Sequence, residues 1–196
     1  NTVTNQNTST ITMNNNLTGT GTWINDVNSY VSYNGTTAPA PTLTNNANST
    51  WEYSNTVNQA VKGATYHHLK VTNGAIKTLG GATTVNGNLT IGAGTELQPA
   101  AQTLSVTGTT YILGTLSDNN AGGSCTFADV DLSGGTINQT TTDDITINGT
   151  LTLPTANGTI GQCNLTVNGA TTIAAGRTLT INSATGNKYF YGGITN

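Results

Sequence analysis

Few residues in this chain are spaced for chemistry. Asp129 and Asp131 flank Val130 in ADVDL, so on a strand both carboxylates leave the same face. Such a pair suits calcium, or acid and base work in polysaccharide cleavage. Asp143 and Asp144 are adjacent, and on a strand they point opposite ways. The cations Lys62, Lys70, Lys77, Arg177 and Lys188 are dispersed and form no substrate clamp, so solvated turn carboxylates are the plainer reading. His67 and His68 are the only histidines; strand neighbours diverge and do not chelate one metal together. Cys125 and Cys163 are the only cysteines, and no base is placed to activate either thiol. The expectation is a protein that is not an enzyme and needs no cofactor or metal.

The elements that must carry these residues are strands. The chain of 196 residues holds 43 threonines, 27 asparagines and 24 glycines, nearly half of the total. Threonine suits a half-exposed pleated surface, while asparagine and glycine suit bends. From Ala64 to Leu97, apolar pairs such as Leu69/Val71 and Leu89/Ile91 alternate with Thr and Lys, and Asn-Gly, Gly-Gly or Gly-Ala-Gly closes each segment. No stretch shows helical apolar spacing. Only five Lys and Arg stand against eight Asp and Glu, a net charge of −3, so nucleic acid is excluded as a partner. No apolar run approaches the roughly 20 residues of a membrane span.

Alignment on the apolar-X-Gly bend yields units starting at Val85, Val106, Leu132, Ile147 and Val167, most of about 20 residues, one longer and one shorter. This drifting period predicts a right-handed parallel β-solenoid over 63–196, with an antiparallel β-sandwich as the alternative. Eight or nine turns give a rod about 40 Å long. Two full coils between Cys125 and Cys163 put them too far apart for a disulfide. If 132–146 is less than a full coil, they stack as neighbours and bond. The sequence admits both geometries: a Cys125–Cys163 disulfide, or two buried free thiols.

Residues 1–62 are richer in Asn and Thr and hold both tryptophans, with Pro39 and Pro41 interrupting any ladder. They are expected to form an irregular cap or arm, with Trp23 and Trp51 as candidate glycan contacts. Asn-X-Ser/Thr triplets, among them Asn16, Asn34, Asn48, Asn88, Asn148 and Asn164, are candidate glycosylation sites. Thr-X-Thr pairs (Thr10/Thr12, Thr42/Thr44, Thr150/Thr152, Thr178/Thr180) raise ice binding as a lesser reading. The chain begins at Asn1 with no basic-then-apolar leader and reads as a secreted or cell-surface product.

The run SNTVNQAVKGATYHHLKVTNGAIKTLGGATTVNGNLTIGAGTEL resembles a unit of the large repetitive cell-surface and secreted proteins of Bacteroidetes-type bacteria. Tyr66-His67-His68-Leu69, Lys77 to Gly81 and Thr84 to Ile91 carry the likeness, which is good over 54–116, looser to 181 and absent in 1–50. It implies a β-helical stalk or adhesin exported across the outer membrane, with no chemistry in the repeats. The expected function is a structural solenoid whose copies join head to tail into a surface filament. Uncharged, apolar-alternating ends carry that expectation: Ile11 and Met13 at one, Tyr189 and Tyr191 at the other. A glycan-binding adhesin segment is the alternative, and a polysaccharide lyase or hydrolase a remote third.

Overall fold

Threonine-rich segments of three to five residues, each closed by a polar or glycine bend, have no way to bury an apolar face alone. They do so by stacking. The computed structural model describes residues 1–118, 122–139 and 143–196, and among them every regular element is a β-strand. The strands pair in parallel and wind into a β-solenoid of about nine coils, roughly 20 residues each. Each coil contributes up to three strands, so the solenoid has three faces. The first face opens with Thr2–Asn5, Thr22–Asn25 and Thr42–Asn45. The second runs from Thr10–Met13 through Thr50–Tyr53 and Leu89–Ile91 to Ile194–Thr195. The third is a seven-stranded sheet from Gln59–Val61 to Leu179–Ile181. Two long strands, Thr103–Ile112 and Ser124–Asp131, turn the corner from first face to second, with a register shift between Val106 and Thr109.

Residues 1–62 correct the expectation of an irregular arm. They are the first three coils and keep the strictest period. Thr2 pairs with Thr22 and Thr22 with Thr42; Thr10 pairs with Tyr30 and Tyr30 with Thr50. The same coils continue upward without a break, because Thr50–Tyr53 pairs with His68–Val71. Their corners use asparagine in place of glycine. Asn5 and Asn25 are buried, and the Asn5 amide donates to Asn25 Oδ1 (3.0 Å) and to the Tyr30 carbonyl (3.0 Å). Asn25 donates to Thr50 O at 2.9 Å and Asn45 to Thr65 O at 3.0 Å. An inward carboxamide thus ties each of these three first-face strands to the coils above it.

The unequal units above Val106 also dissolve. Leu104 stacks on Cys125, Cys125 on Ile145 and Ile145 on Leu165, each a full coil. The bends at Gly108 and Gly134 belong to different corners. In the coil between, Phe127-Ala128-Asp129 occupies the place where others read Val-Asn-Gly or Ile-Asn-Gly.

Glycine at that first-to-second corner is required by close backbone approach. A Cβ on Gly108 would lie 2.5 Å from Gly87 O, one on Gly169 2.3 Å from Gly149 O, and one on Gly192 2.3 Å from the Gly169 carbonyl carbon. The interior is continuous: Trp51, Leu69, Leu89, Ile91, Ile112, Phe127, Ile147, Leu151 and Leu165 are all buried.

Candidate functional site

Aromatic side chains concentrate in the lower coils, and all but Tyr30, on the outward row, are interior. Trp51 is fully buried and Trp23 is 7 % exposed, which corrects their assignment as glycan contacts. Both occupy inward strand positions, where Val3 pairs with Trp23 and Val31 with Trp51. Trp51 packs on Trp23 (6.3 Å between centroids), Tyr33 (6.1 Å) and Tyr53 (6.2 Å). The stack ends at Tyr66, whose hydroxyl lies 2.8 Å from that of Tyr53. Burial holds both phenols well above their ordinary range.

The acidic residues are bound by neighbouring backbone and side chains. Asp129 Oδ1 accepts from Thr150 N (2.7 Å) and Oγ1 (2.8 Å), and Asp131 Oδ1 from Ser133 N (2.9 Å). Asp129 is one rung of a ladder. His68 Nδ1 accepts from Asn88 N at 2.9 Å and Asn88 Oδ1 from Thr109 N at 3.0 Å. Each of these side chains meets the N–H of the next coil at the same corner. Asp143 Oδ1 accepts from Gly122 N (2.8 Å), and Asp144 Oδ1 from the Asn164 amide (3.1 Å).

His67 and His68 do not diverge as strand neighbours would, because His67 lies at the corner between Thr65–Tyr66 and His68–Val71. Their rings are 4.4 Å apart, edge to face. With Nδ1 accepting, neutral His68 carries its proton on Nε2, which leaves no lone pair for a metal. Burial, then the adjacent His67 and Lys70, push its pKa down. Among the described residues no three His, Cys, Asp or Glu side chains gather around one point.

Cys125 and Cys163 are both free and buried, which removes the disulfide. Ile145 stands between Cys125 and Leu165, so 132–146 spans a full coil and the thiols sit two coils apart. Burial pushes Cys125 up to about 12 and Cys163 to about 11, so neither is a thiolate at neutral pH.

The candidate sequons divide by engagement. Asn34 uses both ends of its amide, donating to Asn14 Oδ1 (3.0 Å) and accepting from Ser54 Oγ (2.7 Å). Asn164 also uses both, accepting from Asn187 N at 3.0 Å. Asn88 is half-buried in the corner ladder; Asn16, Asn48 and Asn148 are exposed. The Thr-X-Thr pairs fall on different faces: Thr42/Thr44 on the first, Thr10/Thr12 on the second and Thr180 on the third. They make no single array.

Two groups escaped the sequence reading. Lys77, in the KTLGG bend, is fully buried between Gln59 and Leu97 on the third face. Its amine donates to the Asn55 carbonyl and to Val57 O (3.4 Å), while Gln59 Nε2 donates to Tyr33 O and Gly35 O, both at 2.7 Å. These two side chains satisfy carbonyls where the second face bends into the third. Burial lowers the Lys77 pKa to about 8.

The second group lies outside the same corner. Asn14, Asn34 and Ser54 form a vertical ladder, and Ser54 Oγ also meets Ser32 Oγ at 2.8 Å. With Asn55, Thr56 and Asn73 they line an open groove of about 390 Å³. A second groove of about 190 Å³, lined by Asn15, Asn16 and Thr36 among others, shares Asn14, Asn34 and Asn55 with it. The sequence signal was available: Asn, Asn and Ser follow Met13, Tyr33 and Tyr53 at intervals of one coil.

Comparison with protein-family models, curated proteins and solved structures finds no match to this chain.

Proposed function

We propose that the chain is a non-catalytic extracellular structural protein, a β-solenoid whose copies join head to tail as part of a cell-surface filament. The observation that carries this reading is the contrast between the coil faces and the two ends of the stack. Along the faces, carboxylates and amides such as Asp129, Asn5 and Asn25 are bound by the adjoining coil. At the ends, inward apolar positions lack a covering layer. Val3 is 50 % exposed where Trp23, one coil up in the same row, is 7 % exposed; Ile194 is 50 % exposed where its partner Thr171 is fully buried. Ile11 and Met13 are half-buried on the lower edge, and Ile181 is exposed on the upper.

All coils run the same way, so the upper edge of one stack offers the groups that the lower edge of another needs, in parallel register. The lower-edge strands Thr2–Asn5 and Thr10–Met13 carry no charged side chain; on the upper edge Leu179–Ile181 and Ile194–Thr195 carry none, and Lys188–Phe190 carries one, Lys188, on the inward row above Leu165. The Lys188 amine is turned onto Thr185 O (2.6 Å) and Gly186 O (3.1 Å). Tyr189 points outward beside Thr166, and its ring stacks with Tyr191 at 6.0 Å and 9°. The two tyrosines therefore flank the joint while Phe190, on the inward row with Val167, enters it.

Sedimentation velocity tests the joint. The chain is expected to form particles that lengthen with concentration, and Ile11→Lys with Met13→Lys to leave it monomeric. Association unchanged by both substitutions would remove the lower edge from the proposal.

A further inference from the structure

We infer that the asparagine-lined groove at the second-to-third corner of the first four coils binds a neutral, extended polysaccharide. This does not rest on the filament reading, because the groove lies on the side of the stack.

The groove joins a rigid frame to unused hydrogen-bonding groups. Asn34 and Ser54 are locked in the ladder, so the wall is set before a ligand arrives. Around them, the Asn14 and Asn16 Nδ2 donors, both ends of Asn15, the Thr56 hydroxyl and Asn73 Oδ1 make no hydrogen bond among the described residues. The set mixes donors with acceptors. A sugar hydroxyl is both at once, so an array of carboxamides and hydroxyls answers a polyol as no set of like groups does.

Charge excludes the other polar ligands. No ionisable side chain lines either part of the groove. The nearby Glu52 carboxylate is occupied, accepting from Tyr30 Oη (2.6 Å) and Thr72 Oγ1 (2.7 Å). A phosphate, sulfate or uronate would find no cation, and a metal ion no carboxylate.

Length and direction select a polymer over a single sugar. The two parts share three residues and follow the stack, so polar groups recur once per coil, about every 4.8 Å. That rise is close to the length of one extended pyranose unit. The groove stops where the corner changes character: Gly92 and Leu113 take the positions that Asn34, Ser54 and Thr72 hold below.

The test uses unglycosylated protein with cellohexaose, β-1,4-mannohexaose and β-1,4-xylohexaose as probes in calorimetry, and hexagalacturonate as the charged control. At least one neutral hexamer should bind saturably, with an affinity unmoved by added salt. Asn15→Ala with Thr56→Val should weaken it about tenfold. Neither side chain bonds within the fold, so an unchanged circular dichroism spectrum and melting temperature are expected for the variant. Absence of binding by all three hexamers, equal binding by the variant, or stronger binding of hexagalacturonate that salt abolishes would each overturn the assignment.

Discussion

Lys77 is the clearest case of a residue whose type misleads. A lysine followed by Thr-Leu-Gly-Gly reads as a solvated strand end, yet its amine faces inward and caps carbonyls of the coil below. Its depressed pKa has a definite consequence for stability. The unfolded chain keeps the proton up to about 10.5 and the folded chain only to about 8, so folding is relatively favoured as pH rises through that interval. The thiols act in the opposite sense. Their folded values lie above the ordinary 9.0, so their contribution is lost once pH climbs past 9. Chemical denaturation across pH 7–10 should therefore show stability rising from pH 7.5 to a maximum near pH 9. Lys77→Met should flatten the rising limb and leave the falling limb. A variant with the same rising limb would locate the titration elsewhere. The tryptophans teach the same lesson in reverse, since placing them in the core needed the row positions that only the strand register supplies.

At the scale of elements, the corners decide the fold. The face strands are interchangeable Thr-apolar-Thr segments, whereas each corner must bring successive backbones into contact or bind them through a side chain. Where contact is closest, glycine is obligatory. Gly169→Ala forces a Cβ to within 2.3 Å of Gly149 O and should cost about 1–3 kcal/mol in urea denaturation. Gly94→Ala meets no atom within 4 Å and tests only the strain of a positive φ of 72°. Equal loss for both would show that contact at the corner is not what glycine serves.

Corner chemistry also explains what the sequence disclosed. Over 64–97, Asn-Gly and Gly-Gly mark the corners openly, and the solenoid was legible there. In 1–62 the repeating sign is an inward asparagine, as in TVTN, TWIN and TLTN, which composition alone presents as low complexity. Phe127-Ala128-Asp129 replaces the glycine corner with a carboxylate that caps the coil above. Counting glycine bends therefore skipped a corner and divided two equal coils into a long and a short one. The disulfide expectation followed from that miscount. The asparagine groove went unseen because its lining comes from four coils, and only stacking brings them together.

Across the described residues the coils form one uniform stack. Inward positions are buried along its length and half-exposed on its first and last coils, and Lys188, its amine folded onto Thr185 O and Gly186 O, is the one charged side chain in the edge strands. Negative-stain electron microscopy of the purified chain, imaged over a range of concentrations, reads head-to-tail joining by eye. Unbranched filaments one solenoid wide that lengthen with concentration are expected; isolated rods of a single length at every concentration would rule out the joint.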